Sequence, residues 1–207
     1  MKAEKNMDTY AQWTVDLWMG NGPLTEKDFT VMSLGLGGEM AEVMEAIEAY
    51  SFNSPIDKEW VTKEMGDVIY YWARLNEAFS LSSNIILEKM WKEKGISKPF
   101  PIPVNTLSKA FRETSIQSNS GSLPDILRQT LKLGVKVGVV QEIMKKRVRD
   151  DVFLEEKFTH AMGEVGVEWL CLCEALDLKP SSVLAANIKK VEDRKLRGVM
   201  RGSGNNR

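Results

Sequence analysis

Slid along itself by 100 residues, the chain meets its own pattern. GEMAEVM at 38–44 falls on GVVQEIM at 138–144, and EMGDVI at 64–69 falls on EVGVEW at 164–169. Further on the offset becomes 97, with EAFSL at 77–81 on EALDL at 174–178. Identity is low, but helix and loop lengths repeat. A two-helix unit cannot bury its apolar face alone. A unit used twice therefore predicts a pseudo-symmetric helical bundle, two tandem copies packed as an intrachain pseudo-dimer.

Within each copy apolar residues recur at helical spacing and strand signals are weak, which predicts an all-α fold. Helices are expected near 6–19, 27–50, 56–79 and 83–94, then near 105–115, 123–147, 151–176 and 180–197. Ser83 and Ser181 read as helix-start residues. The stretch ISKPFPIPVN at 96–105 has three prolines in five residues and must interrupt any helix. The expected organisation is a first unit over 1–95, a connector over 96–122 and a second unit over 123–207. The polar end RGSGNNR at 201–207 reads as a mobile tail or as a loop that closes over a site.

The charge balance excludes some partners. With 28 Lys+Arg against 29 Asp+Glu the net charge is -1, so nothing draws the chain to nucleic acid or to an anionic membrane. Cys171 and Cys173 lie two apart in an apolar helical run and make no disulfide framework, which points to a reducing cytoplasm. The opening MKAEKNMDTY has no apolar signal core, and no apolar run approaches the ~18 residues of a membrane span. A single histidine, His160, makes His-based metal sites and Ser-His triads poor candidates.

Acidic pairs carry the chemistry. Residues three apart share a helix face, so Glu39 points with Glu42 and Glu64 with Asp67. A short loop at SFNSPID (51–57), containing Asn53 and Pro55, lets the two helices run antiparallel with the pairs opposed. Four carboxylates at one helix interface repel each other and resist desolvation. A hard divalent cation resolves that, and Mg²⁺, with Mn²⁺ as the alternative, takes oxygen ligands and bridges to phosphates. A plain acidic stripe is the competing reading, since Glu45 and Glu48 follow. It suits the second pair poorly, because Glu64 and Asp67 lie among Trp60, Val61, Val68, Ile69, Tyr71, Trp72 and Leu75. Gly35, Gly37, Gly38 and Gly66 each cost ~1 kcal/mol against Ala inside a helix, which close helix approach or room for a ligand would offset. In the 100-residue register Glu39 and Asp67 meet Val139 and Val167, while Glu42 and Glu64 meet Glu142 and Glu164. One half is equipped for a metal and the other is not.

GEMAEVMEAIEAY followed by KEMGDVIYYWARLNEAF resembles the ExxE…ExxD signature of the MazG-like, all-α nucleoside triphosphate pyrophosphohydrolases, whose superfamily includes the dimeric dUTPases. YAQWTVDLW at 10–18 is similar to the family's first helix, and NIKKVEDRKLRGVMRGSGNNR at 187–207 to the closing segment of phage-type members. The resemblance covers 7–94 well and 123–207 more loosely, and 95–122 matches nothing. It implies Mg²⁺ on Glu39, Glu42, Glu64 and Asp67, and cleavage of a (d)NTP between its α- and β-phosphates to a monophosphate and pyrophosphate. Glu42, or Glu39, is then the general base. Asn187, Lys190 and Arg194 match the family's phosphate-binding positions on the last helix, where the first half has Met90 and Glu93. One active site per chain is expected, in a monomeric pseudo-dimer or a homodimer, in the host cytoplasm if the gene is a phage's.

The remaining candidates are weaker. Tyr10, Trp13 and Trp18 could stack on a base or simply pack in the core, and Trp13 is the chosen pocket wall. Lys58, Lys63 and the run KKRVR at 145–149 are either solvated cations or phosphate contacts, and Lys63 is taken as a phosphate contact. His160 and the two cysteines read as structural. Two other functions stay open: a dUTPase-like or house-cleaning enzyme for modified nucleotides, and a non-catalytic helical module that binds a nucleotide or a partner. A ferritin-like di-metal oxidase is disfavoured, because ExxH pairs are absent.

Overall fold

The helical periodicity becomes eight helices in the computed structural model, which describes residues 6–17, 23–51, 55–115 and 121–199. They are α1 (Met7–Leu17), α2 (Glu26–Ser51), α3 (Lys58–Ala78), α4 (Ser83–Glu93), α5 (Val104–Ser115), α6 (Leu123–Asp150), α7 (Glu155–Ala175) and α8 (Pro180–Leu196). No strand occurs among the described residues, and no described helix is long and apolar enough to cross a membrane. Trp18, Asn53 and the tail at 201–207 lie outside the described residues.

Local chemistry sets the ends. Asp57 starts α3 by accepting the backbone N–H groups of Glu59 and Trp60 at 3.0 and 2.9 Å. Ser82, not Ser83, starts α4, accepting from the Ile85 N–H at 3.2 Å. Ser83 lies one residue inside and is fully buried, accepting from Asn76. Ser181 is also inside its helix. It ties α8 to α5 instead, its N–H donating to Asn105 Oδ1 at 2.9 Å and its hydroxyl accepting from Asn105 Nδ2 at 2.8 Å.

The helices begin at 7, 26, 58 and 83, and again at 104, 123, 155 and 180, which is 97 residues on each time. The 100-residue register therefore does not describe the helices, and 97 holds from the first to the last. Packing follows the same spacing. α2 lies on α3 and α6 on α7. α1 and α8 cover α3, while α5 and α4 cover α7. At the centre, Trp72 Nε1 donates to the Met162 carbonyl at 2.7 Å, and Trp169 Nε1 donates to the Met65 carbonyl at 2.9 Å. The two tryptophans are 97 residues apart, and so are the two methionines. The segment 96–122 is more than a connector, because it holds α5, whose Val104, Leu107 and Phe111 are buried in the common core.

Candidate metal centre

The outer groove between α2 and α3 gathers acids because the core fills the rest of both helices. On α3, Val61, Met65, Val68, Ile69 and Trp72 are buried, and Glu64 falls in the same arc with no exposed surface. Asp67 is three residues on, at the edge of that arc, and Glu39 of α2 faces both. One carboxylate oxygen from each of Glu39, Glu64 and Asp67 lies within 4.8 Å of the others. Gly66 lets α8 come close enough to complete the group. A Cβ on Gly66 would stand 3.0 Å from the Asn187 Cβ. Gly35 makes room for the Tyr71 ring in the same way, whereas Gly38 faces open space.

α8 brings an amide and an ammonium to the acids. Asn187 Nδ2 donates to Asp67 Oδ1 at 2.8 Å, and the Lys190 ammonium pairs with Asp67 Oδ2. On its other side Asn187 Oδ1 accepts from the Tyr10 hydroxyl at 2.7 Å. Glu39 is pushed up from the usual carboxylate value to about 8, first by burial, then by the charges of Asp67, Glu42 and Glu64, with Lys190 opposing them. Burial, then Asp67, also raises the Tyr10 hydroxyl well above its ordinary value. Without a divalent cation, burial and the neighbouring charges favour the protonated form of Glu39 near neutral pH. The donor set is all oxygen and clustered, and it carries more negative charge than Lys190 alone offsets. Such a group could hold a hard divalent cation.

The structure brings together most of the expected residues, but not all. Glu42 is exposed and lies outside the three-carboxylate cluster, although its charge still raises Glu39. Positions 39 and 42 are close to one face yet not in line, and α3 sits over the first only. Lys63 turns to solvent and pairs with Glu59 one turn back at 2.8 Å. Arg194 is one turn beyond Lys190, partly buried, and makes no ion pair with a described residue. Lys58 pairs with Asp177 at 3.2 Å. Trp13 packs its ring 5.3 Å from Tyr10 and 6.2 Å from Tyr70, with its indole N–H on Glu192 at 3.3 Å. Tyr10 is fully buried and cannot stack on a base. Its place on the buried face of α1, with Met7, Ala11, Thr14 and Leu17, was readable from their spacing. The run at 145–149 is not merely solvated. Arg147 pairs with Glu26 and lies 4.5–5.1 Å from the ring centres of Phe29, Phe79 and Phe153. Cys171 and Cys173 are buried and form no disulfide.

In sequence the chain resembles a phage protein. Over 106 residues it is 33% identical to the "Gene 37 protein" of Mycobacterium phage L5, the match taking in 47% of this chain and 93% of the phage protein. The chain belongs to the family of that phage protein. The relative is therefore about half as long as this chain. No family model matches the sequence. No solved structure matches it either.

Ninety-seven residues beyond Glu39, Glu64 and Asp67 stand Lys136, Ala161 and Glu164. There the Lys136 ammonium pairs directly with the Glu164 carboxylate, and His160 lies 3.3 Å from Glu93 and 3.8 Å from Glu164. Val139 is exposed and Val167 is in the core. The two acids set against Glu42 and Glu64 in the 100-residue register are both tied to lysines, Glu142 to Lys145 and Lys146, and Glu164 to Lys136.

Proposed function

We propose that this chain is a divalent-metal-dependent nucleoside triphosphate pyrophosphohydrolase of the MazG-like kind, with one active site. The observation that carries the reading is the convergence of Glu39, Glu64 and Asp67 within 4.8 Å, faced by Asn187 and Lys190 from the far end of the chain. Glu39, Glu64 and Asp67 would hold Mg²⁺ or Mn²⁺, which when bound neutralises phosphate charge and lowers the pKa of a water. Lys190 presents an ammonium to the triphosphate, with Arg194 one turn further out, while Asn187, buried and donating to Asp67, holds that carboxylate instead of the phosphates. Glu42, exposed on α2 and in no ion pair with a described residue, would take the water's proton. The water oxygen bonds to the α-phosphorus as the bond to the bridging oxygen breaks, and pyrophosphate leaves. Trp13 is the aromatic wall for the base.

The same reading makes the chain a tandem repeat. The 97-residue spacing of all four helix starts supports it, and so does a relative about as long as one unit. On this view the second unit runs from near α5, the units exchange their last helices, and α8 completes the first unit's site.

The test is pyrophosphate release across canonical and modified (d)NTPs with Mg²⁺. Glu39→Ala and Asp67→Ala should each abolish it, and retention of the rate in either would refute the site. One observation favours a second reading, a non-catalytic nucleotide-binding module: Lys190 already neutralises Asp67 without any metal. Calorimetric binding of a nonhydrolysable nucleotide with no turnover would select it.

A further inference from the structure

The acids and cations of the centre rest on a residue that is neither. Tyr10 of α1 is fully buried, and its hydroxyl donates to Asn187 Oδ1, whose amide N–H in turn donates to Asp67. The directions are forced. An ionised carboxylate only accepts, so Asn187 must turn its NH₂ to Asp67 and its oxygen away. The oxygen then needs a donor, and a hydroxyl can be one. Asn187 is itself only 2% exposed, so water does not compete for that role. We propose that Tyr10 is a positioning residue of the metal centre, locking the Asn187 amide and through it the Asp67 carboxylate.

A comparison within the chain supports this. Ninety-seven residues from Tyr10 stands Leu107, and 97 before Asn187 stands Met90. Both are buried and apolar. Where the acid cluster is replaced by a lysine–glutamate pair, the relay behind it is replaced too. The fold thus packs a hydrocarbon in the corresponding place, and packing alone does not call for the hydroxyl. Burial and the Asp67 charge keep the Tyr10 hydroxyl protonated, and so a donor, throughout the neutral range. Outer partners that orient a ligand act through its geometry, and losing one weakens metal binding without removing a ligand.

The inference rests on the reading that the cluster holds a divalent cation, and the experiment separates the two. Mn²⁺ is titrated calorimetrically into the full chain as wild type, Tyr10→Phe, Asn187→Met and the double variant, with melting curves alongside. Each single change should weaken Mn²⁺ binding about 10- to 100-fold. The double should be no weaker than the poorer single, because both act through one chain of hydrogen bonds. Unchanged Mn²⁺ affinity in Tyr10→Phe, with only a lower melting temperature, overturns the inference. Additive losses overturn the route through Asn187. Should Asn187→Met not fold, Asn187→Ser takes its place. A wild type that takes up no Mn²⁺ overturns the metal reading, and this inference with it.

Discussion

Replacing Glu39 with glutamine should make the metal-free protein more stable while removing its response to metal. The unfolded chain loses the Glu39 proton near the ordinary 4.5, whereas the folded chain holds it to about 8. Between those values the folded state binds more protons than the unfolded one. Stability therefore falls as pH rises through that window, and is fully recovered only below it. The full difference is about 5 kcal/mol above the window and about 3 kcal/mol at pH 7. Glutamine keeps the shape and never ionises. Urea unfolding in EDTA should show Glu39→Gln and wild type alike near pH 4, with the variant ahead by up to about 3 kcal/mol at pH 7.

Metal should close most of that gap. Mn²⁺ at a hundredfold excess over its dissociation constant adds about 2.7 kcal/mol to a protein that binds it. Wild type should gain this and Glu39→Gln should not. If the two stability curves ran parallel from pH 4 to 8 in EDTA, the crowding of charge at Glu39 would be refuted. If Mn²⁺ stabilised both equally, Glu39 would not be a ligand.

Three other substitutions probe the surroundings. Gly66→Ala puts a Cβ 3.0 Å from the Asn187 Cβ; it should cost about 1–3 kcal/mol in urea unfolding and weaken Mn²⁺ binding by pushing α8 off α3. Lys190→Gln removes the tethered cation from Asp67 and should tighten Mn²⁺ severalfold in calorimetry while slowing turnover. Arg147→Ala strips the guanidinium from over Phe29, Phe79 and Phe153, far from the acids; it should lower stability by about 2 kcal/mol and leave Mn²⁺ affinity unchanged.

The helices were legible because their apolar spacing and breakers are local. The expected 27–50 and 83–94 differ from Glu26–Ser51 and Ser83–Glu93 by one residue at most at either end. The acid cluster was legible for a related reason: Glu64 sits in an arc with no polar face to spare, so its charge demanded a partner. What depends on a third helix was not legible. Nothing in a spacing of three separates Glu39, which α3 covers, from Glu42, which it does not. Lys63 is similarly one residue from Glu64 yet faces the other way, to Glu59. Tyr10 was visible as a core position, but its hydroxyl has meaning only beside Asn187, 177 residues away in sequence.

The repeat register shows how local likeness misleads. GEMAEVM and GVVQEIM agree best at 100, because Glu and Met recur often on any amphipathic helix. The helix starts, set by caps, prolines and loop lengths, agree only at 97. The two registers name different residues as the lost acids, so a gain of function can choose between them. In the 97 register, Lys136→Glu with Ala161→Glu rebuilds a cluster of three carboxylates that includes Glu164, and Met90→Asn with Glu93→Lys rebuilds their partners on α4. That four-residue variant should bind a second Mn²⁺ per chain, raising the calorimetric stoichiometry from one to two. In the 100 register the repair would be Val139→Glu with Val167→Asp. Val139 is exposed and Val167 is buried in the core, so that pair should add no site, and a carboxylate at 167 should destabilise the fold. A second Mn²⁺ in the valine variant, and none in the other, would overturn the 97-residue equivalence and the account of how α8 comes to complete the first unit's site.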